Sequence, residues 1–208
     1  LGAQSFVVNE DSIDSVYDET MALPKGVVEE FVMQHDEMNR LSPTAVNTVR
    51  IVTISNKTKA VKKDGSKADI VYCMIKMGGA TGCVDNLHGG GLGAAVDLET
   101  GEIITPAISD FVVPHVYHPV TGTKIPGFKI PLFEEVKELA MRTIDELGLE
   151  GYLGWDIAVT NKGPVIIEIN ATPGVTLLQL PYVPEKKGMK HIFDDYLVED
   201  PSFVKGEE

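Results

Sequence analysis

Residues 151–174, GYLGWDIAVTNKGPVIIEINATPG, constrain the fold more than any other part of the chain. Two alternating runs flank a polar Asn161-Lys162-Gly163 break, the pattern of two antiparallel strands joined by a turn. Trp155, Ile157 and Val159 occupy one set of positions in the first run, and Val165, Ile167 and Ile169 the matching set in the second. If both sets line the core, a three-residue loop pairs Ala158 with Ile166 and Asp156 with Glu168. Two carboxylates then stand opposite each other, Cβ atoms roughly 4.5–5.5 Å apart, with Asn170 two residues on along the same face. Like charges so placed destabilise a sheet. A divalent cation removes the conflict, because Mg2+ takes hard oxygen ligands from one or two carboxylates together with water and phosphate. The competing reading is a solvated face, where polar residues alternate with apolar ones and bind nothing.

The rest of the chain supplies the sheet for this hairpin. Residues 46–55 (VNTVRIVTIS) and 69–77 (DIVYCMIKM) read as two further strands around a lysine-rich loop or small hairpin. Residues 3–8 and 27–32 read as shorter strands, with a helix between them that aligns Ile13, Val16, Tyr17 and Met21. NLHGGGLGAAVDLETGEIITPAI is a glycine run followed by a hairpin turning at Glu99-Thr100-Gly101. Residues 110–130 are proline-rich and aperiodic, a long excursion. PLFEEVKELAMRTIDELG is the best-marked helix: Pro131 opens it, acids fill its first turn, and Gly148 closes it. Its buried stripe is expected at Phe133, Val136, Ala140, Ile144 and Leu147. A short helix is expected near 190–197. The fold class is α+β with a largely antiparallel sheet.

Composition mainly excludes. With 43% hydrophobic and 24% charged residues among 208, the chain is neither disordered nor membrane-spanning, and no apolar run approaches the ~20 residues of a bilayer helix. A net charge of −13 argues against nucleic-acid partners. No secretory signal is visible. Cys73 and Cys83 lack metal or redox spacing and read as reduced thiols, which suits a cytoplasmic protein. His115 and His118 form an H-x-x-H pair without further suitably spaced ligands, so loop structure or a pocket lining is favoured over zinc. Arg50 and Lys76 share a face of neighbouring strands in a plausible register, where two cations repel unless a polyphosphate lies between them; ordinary surface charge is the alternative. Residues 86–91 offer small side chains and free backbone N–H groups to an anion.

GWDIAVTNKGPVIIEINATPG resembles the metal-binding hairpin of the ATP-grasp superfamily: Asp, then Glu-x-Asn a dozen residues later, then Pro-Gly. The resemblance implies Mg2+ (or Mn2+) held by Asp156, Glu168 and Asn170 against the phosphates of ATP. VVEEFV resembles the hinge strand whose backbone receives adenine, which implies nucleotide contacts at Glu29, Glu30, Phe31 and Val32. NTVRIVT and MIKMGG resemble the strands carrying phosphate-facing basic residues, here Arg50 and Lys76. VDNLHGGG resembles the Asn-Gly-Gly block of the glutathione synthetase and ribosomal-protein glutamate ligase branches. That implies a catalytic place for Asn86 and phosphate contacts for Gly89 and Gly90. Taken together, EEFVMQH, NTVRIVT, HPVTG, GFKIP and EINATPG resemble the sugar-transfer-associated ATP-grasp proteins over about residues 25–175.

The resemblance sets the remaining expectations. Residues 1–32 are the remainder of a lid subdomain with the adenine hinge, and residues 33–208 the catalytic subdomain. LGAQSFVV resembles the far strand of the lid hairpin, so a lysine and most of a glycine-rich loop are expected upstream of Leu1. The chain is then a C-terminal fragment that binds ATP poorly alone. Gln34, Asp36 and Glu37 are the candidates for holding ribose, with Asp36 preferred. The implied activity is ligation of a small-molecule carboxylate through an acyl phosphate, in the setting of sugar transfer or cell-surface polysaccharide. An ATP-grasp small-molecule kinase and a non-catalytic nucleotide-binding module are the rival readings.

Overall fold

Three segments rich in β-branched residues (48–55, 68–77 and 151–160) are long enough to form a sheet with two usable faces, and the protein buries residues on both. The computed structural model describes residues 10–22, 30–55, 68–79, 90–109 and 112–193. Its sheet has seven strands in the order β5 (Pro114–His115), β4 (Ala107–Ile108), β3 (Leu92–Ala95), β2 (Ala68–Met77), β1 (Thr48–Ser55), β6 (Gly151–Thr160) and β7 (Gly163–Asn170). Every neighbouring pair is antiparallel. With five α-helices among the described residues beside the antiparallel sheet, the expected α+β class is observed. Among the described residues no helix is long and apolar enough to cross a membrane.

Alternation assigns the faces. Val49 and Ile51 of β1, Cys73 and Ile75 of β2, and Trp155, Ile157 and Val159 of β6 lie in one apolar cluster with α3 (Phe133–Leu147). The helix contributes Phe133, Val136, Ala140 and Ile144, spaced to fall on one side. On the opposite face Val52, Tyr72, Met74 and Ala95 form a smaller cluster with Leu178 and Met189. This second lid comes from α4 (Val175–Gln179), a 3-10 turn (Leu180–Glu185) and α5 (Lys190–Phe193). Tyr182 and Phe193 lean on Tyr72 and Tyr152, ring centroids 6.4 and 6.0 Å apart.

Local chemistry explains the connections. The β3 hairpin turns where Asp97 Oδ1 accepts from the backbone N–H groups of Glu99 and Thr100, at 3.2 and 2.8 Å. Gly101 is required there, because its φ is +69° and a Cβ would lie 2.7 Å from the Phe133 ring. α1 (Ile13–Met21) forms where its spacing predicts, yet none of its residues is buried. α2 (Asp36–Asn39) starts at His35, whose Nδ1 accepts from Glu37 N–H at 3.1 Å.

Several expectations need correction. The β6–β7 loop is a two-residue turn, with Thr160 paired to Gly163, rather than a three-residue loop. Gly163 takes φ +122° and Thr160 Oγ1 donates to its carbonyl at 2.7 Å, which closes the turn one residue early. Ala158 therefore pairs with Val165 and Ile157 with Ile166; a bulge at Ile167 then restores Asp156 opposite Glu168. Val165, Ile167 and Ile169 are not core residues but 39–44% exposed, on an edge strand, while Ile166 packs against the main cluster. In α3, Pro131 precedes the helix by two residues, Leu132 sits at φ +52°, and Leu147 is exposed. Residues 30–33 carry no strand; pairing starts at Gln34, bridged to Thr160, with His35 N–H donating to the Val159 carbonyl at 2.7 Å. The proline-rich excursion supplies edge strand β5. The expected strand at 3–8, residues 27–29 and the helix beyond 193 lie outside the described residues.

Candidate functional site

The face opposite α3 carries the charges. β1 and β6 pair Arg50 with Asp156, and β1 and β2 pair Arg50 with Met74 and Thr48 with Lys76. Lys76 is thus the diagonal neighbour of Arg50, on the face the sequence assigns to both. Arg50 Nε and Nη2 donate to Asp156 Oδ1 and Oδ2 at 2.5 and 2.6 Å, a two-toothed guanidinium–carboxylate pair. Lys76 Nζ donates to the same Oδ2 at 3.3 Å. Arg50 and Asp156 are buried, at 8% and 5% side-chain exposure, and Lys76 is largely covered, at 12%. Burial alone would raise the Asp156 pKa, but the Arg50 hydrogen bonds and the charges of Lys76 and Arg50 outweigh it and hold the carboxyl below its ordinary range.

This arrangement changes the electrostatic argument. The two cations are reconciled by a carboxylate between them, without phosphate, and Asp156 faces Glu168 while already neutralised by its own protein. The like-charge conflict therefore does not by itself demand a metal. The donor chemistry does fit one. Glu168 is exposed opposite Asp156, and Asn170 stands opposite Gly154 two pairs further along, on the same face. The Asn170 amide nitrogen is buried without a hydrogen-bond partner, a polar group that folding leaves unsatisfied. Asp156 Oδ1 accepts from Arg50 Nε alone among the described residues. Two carboxylates and a carboxamide on one strip are oxygen donors of the kind Mg2+ takes.

Two residues without chemistry of their own shape the site. A Cβ at Gly154 would lie 2.7 Å from Pro173 Cβ and 3.4 Å from Arg50 Cδ. Glycine there leaves the space through which Arg50 reaches Asp156 and against which Pro173 packs. At the end of β2, a Cβ on Gly79 would lie 1.7 Å from the Gly90 carbonyl oxygen, so the two glycines bring their backbones together.

The structure brings Arg50, Lys76, Asp156, Glu168 and Asn170 onto one face. It does not bring the hinge residues into the sheet: Glu30, Phe31 and Val32 are unpaired, and Phe31 is 55% exposed. Asp36 lies exposed at the start of α2, its Oδ1 accepting from Asn161 Nδ2 at 3.3 Å. Gln34 is withdrawn from the ribose candidates, since its buried amide is engaged by Asn39, Ser42, Ala45 and Asn47. Gly90 takes φ +87° with open space beside it. Glu29, Asn86 and Gly89 lie outside the described residues, as does Cys83. Cys73 is a free, fully buried thiol whose pKa burial pushes up.

His118 is buried against the Gly78 carbonyl and His115 lies on β5, so the pair is part of the loop framework. Sequence reasoning missed the Gln34–Asn47 network and the role of Gly154. Neither carries a periodic or motif signal, because each depends on a contact between segments distant in the chain.

A seven-stranded antiparallel sheet, covered by a helix on one face and bearing an Arg-Lys-Asp cluster with Glu and Asn on the other, is of the ATP-grasp type. Within that class, residues 14–193 match the model of the sugar-transfer associated ATP-grasp family, and the chain belongs to it. It is also similar to D-alanine--D-alanine ligase B of Clostridium perfringens (strain 13 / Type A), 37% identical over 71 residues, covering 33% of this chain and 24% of the relative. To D-alanine--D-alanine ligase of Corynebacterium jeikeium (strain K411) it is 40% identical over 47 residues, covering 23% and 13%. The matches thus span a quarter or less of either curated relative.

Proposed function

We propose that the chain carries the catalytic face of an ATP- and Mg2+-dependent ligase. The enzyme would transfer the ATP γ-phosphoryl group to a small-molecule carboxylate, releasing ADP, and an amine or other nucleophile would then attack the acyl phosphate and expel phosphate. The observation that carries this reading is the Asp156 carboxylate fixed between Arg50 and Lys76, with Glu168 opposite. Phosphoryl transfer asks a protein for positioning and charge neutralisation more than for a covalent residue. Arg50 and Lys76 are already desolvated and oriented, so they need little reorganisation to receive anionic oxygen. Asp156, Glu168 and Asn170 would hold Mg2+, which supplies neutralisation of the phosphates when bound. The backbone of residues 29–32 would receive adenine and Asp36 the ribose, with Asn86, Gly89 and Gly90 against the phosphates.

The two partial relatives are named as D-alanine--D-alanine ligases; the present reading keeps the ligase class and leaves the substrate open. The family's name supports a setting in sugar transfer. Residues 1–32 are read as lid and hinge, and 33–208 as the catalytic subdomain. That division agrees with α1 burying nothing, while Gln34 onward is tied to β6 and to the 39–47 segment.

The test is ADP formation with Mg2+ and ATP by the full-length protein, with hydroxylamine as a trap. A hydroxamate marks an acyl phosphate; ADP without it points to a kinase instead. Glu168→Gln, at an exposed position, is expected to abolish turnover while leaving the melting temperature unchanged. Asp156→Asn is expected to abolish turnover as well, and to lower stability because Arg50 loses its partner. Undiminished turnover in both variants would sink the assignment.

A further inference from the structure

The Gly78 peptide, two residues beyond Lys76, is held from both sides by buried side chains of distant segments. Asn47 Oδ1 accepts from its N–H at 3.3 Å, and His118 Nε2 reaches its carbonyl at 2.8 Å. The tautomer follows from the other ring nitrogen. His118 Nδ1 faces the N–H groups of Val120 and Thr121, at 3.3 and 3.4 Å, and these can only donate. The proton is therefore on Nε2, aimed at the Gly78 oxygen.

Both posts of this clamp are themselves fixed. Asn47 Nδ2 donates to Gln34 Oε1, Met38 O and Ser42 O at 2.9–3.0 Å. The turn after His118 is tied to the α2 segment through Thr121 Oγ1, donating to the Leu41 carbonyl at 3.1 Å, and through Thr123 Oγ1, donating to that of Arg40 at 2.5 Å. Gly78 fits this place without a side chain: a Cβ would lie 2.5 Å from Ala45 Cβ and 2.6 Å from Ser42 Oγ. The position matters because the ladder ends here. β2 last pairs with β1 at Thr48↔Lys76 and with β3 at Met77↔Leu92, so Gly78 is the first residue whose peptide the sheet no longer holds.

We propose that His118 is a positioning residue: its hydrogen bond to the Gly78 carbonyl fixes the end of β2 and thereby holds Lys76 Nζ in register over Asp156. The consequence for turnover rests on the ligase reading above; the consequence for Lys76 does not. Lys76 reaches Asp156 at 3.3 Å, against 2.5 and 2.6 Å for Arg50, so slack at the strand end is felt first at the lysine.

The experiment compares His118→Asn with His118→Gln in the full-length protein. An Asn carbonyl can replace Nδ1 as acceptor for the turn but leaves Gly78 without a donor, whereas a Gln amide reaches as far as Nε2. His118→Asn is expected to lower kcat for Mg2+-dependent ADP formation by about 10- to 100-fold with little change in KM for ATP, and His118→Gln to restore most of it. Acetic anhydride labelling read by mass spectrometry follows Lys76 independently of turnover. Lys76 should be protected in the wild type and in His118→Gln, and labelled faster in His118→Asn, with exposed Lys162 as the internal reference. Equal losses in both variants, or unchanged Lys76 labelling in His118→Asn, would overturn the positioning role. A labelling difference in a wild-type protein that makes no ADP would support that role and overturn the ligase reading instead.

Discussion

Under α3 the sheet presents Val49, Ile51, Ile75 and Ile157, all fully covered, with Trp155 whose Nε1 donates to Thr53 Oγ1 at 2.9 Å. Across the same strands, one residue out of phase, it presents Arg50, Lys76 and Asp156 beside Val52 and Met74. The first face gains stability from burial at roughly 25 cal/mol per Å2 of apolar surface removed from water. The second must desolvate three charges, which in general returns little net stability even when they pair well. The same backbone thus holds the charged face in place by means of the apolar one. This division predicts that substitutions of the desolvated charges Arg50, Lys76 and Asp156 affect activity and stability together, and those on the apolar face stability alone.

The largest effect is expected at Asp156. Replacing it by Ala strands Arg50 and Lys76 in a buried setting, a loss of about 3–5 kcal/mol, together with all Mg2+-dependent turnover. Urea unfolding and ADP release would measure both. Ile144→Ala on α3 should cost about 2–5 kcal/mol through the cavity left under the sheet, while kcat of the folded protein stays at the wild-type value. A kcat that fell with the Ile144 substitution would show that the faces are not separable.

The periodic elements were legible in the sequence. The strands at 48–55, 68–77 and 151–160 and the helix at 133–147 follow from alternation and end signals that local propensity alone can carry. Asp156 opposite Glu168 was legible too, although by a different route: a shorter turn and a compensating bulge at Ile167 reach the pairing that a three-residue loop would have made. What alternation cannot give is cover. It lines up Val165, Ile167 and Ile169 as one set, but the bulge leaves Val165 opposite Ala158 and Ile169 opposite Trp155, on different faces of an edge strand open to solvent. Nor does it show the Arg50–Asp156 pair, whose partners are 106 residues apart and meet only because β6 inserts next to β1. Gln34, Asn47 and His118 sit in irregular segments, where a buried amide or imidazole leaves no pattern before its partners are in place.

Acid should separate the two kinds of buried polar group. Asp156, despite its burial, is held below the ~3.9 of a free aspartate by Arg50 and Lys76, so the unfolded chain takes up its proton first. Its stabilisation is complete above about pH 4 and is lost as pH falls through the lower folded value. His118 is also depressed, chiefly by burial and also by His115, against the opposing Gly78 hydrogen bond. Its contribution is therefore present above the unfolded value of ~6.5 and declines as pH drops below it. Urea midpoints against pH should fall in two steps; His118→Gln removes the upper one and Asp156→Asn the lower. A single step below about pH 4 would show that His118 is not held neutral by its surroundings.

The smallest effect is expected at Leu147, where the sequence stripe and the structure part company. Spacing puts Leu147 in line with Phe133, Val136, Ala140 and Ile144, yet it is 64% exposed. The helix end explains why. Gly148 takes φ +61°, and the Leu149 N–H donates back to the Ile144 carbonyl at 3.0 Å, the closure of a Schellman-type cap. That turn swings Leu149 against the main cluster in the place the stripe would have given to Leu147. Leu147→Gln should therefore change the urea midpoint by no more than about 0.5 kcal/mol equivalent and leave turnover untouched. A loss comparable with that of Ile144→Ala would mean that Leu147, rather than Leu149, closes the apolar face at this end of the helix.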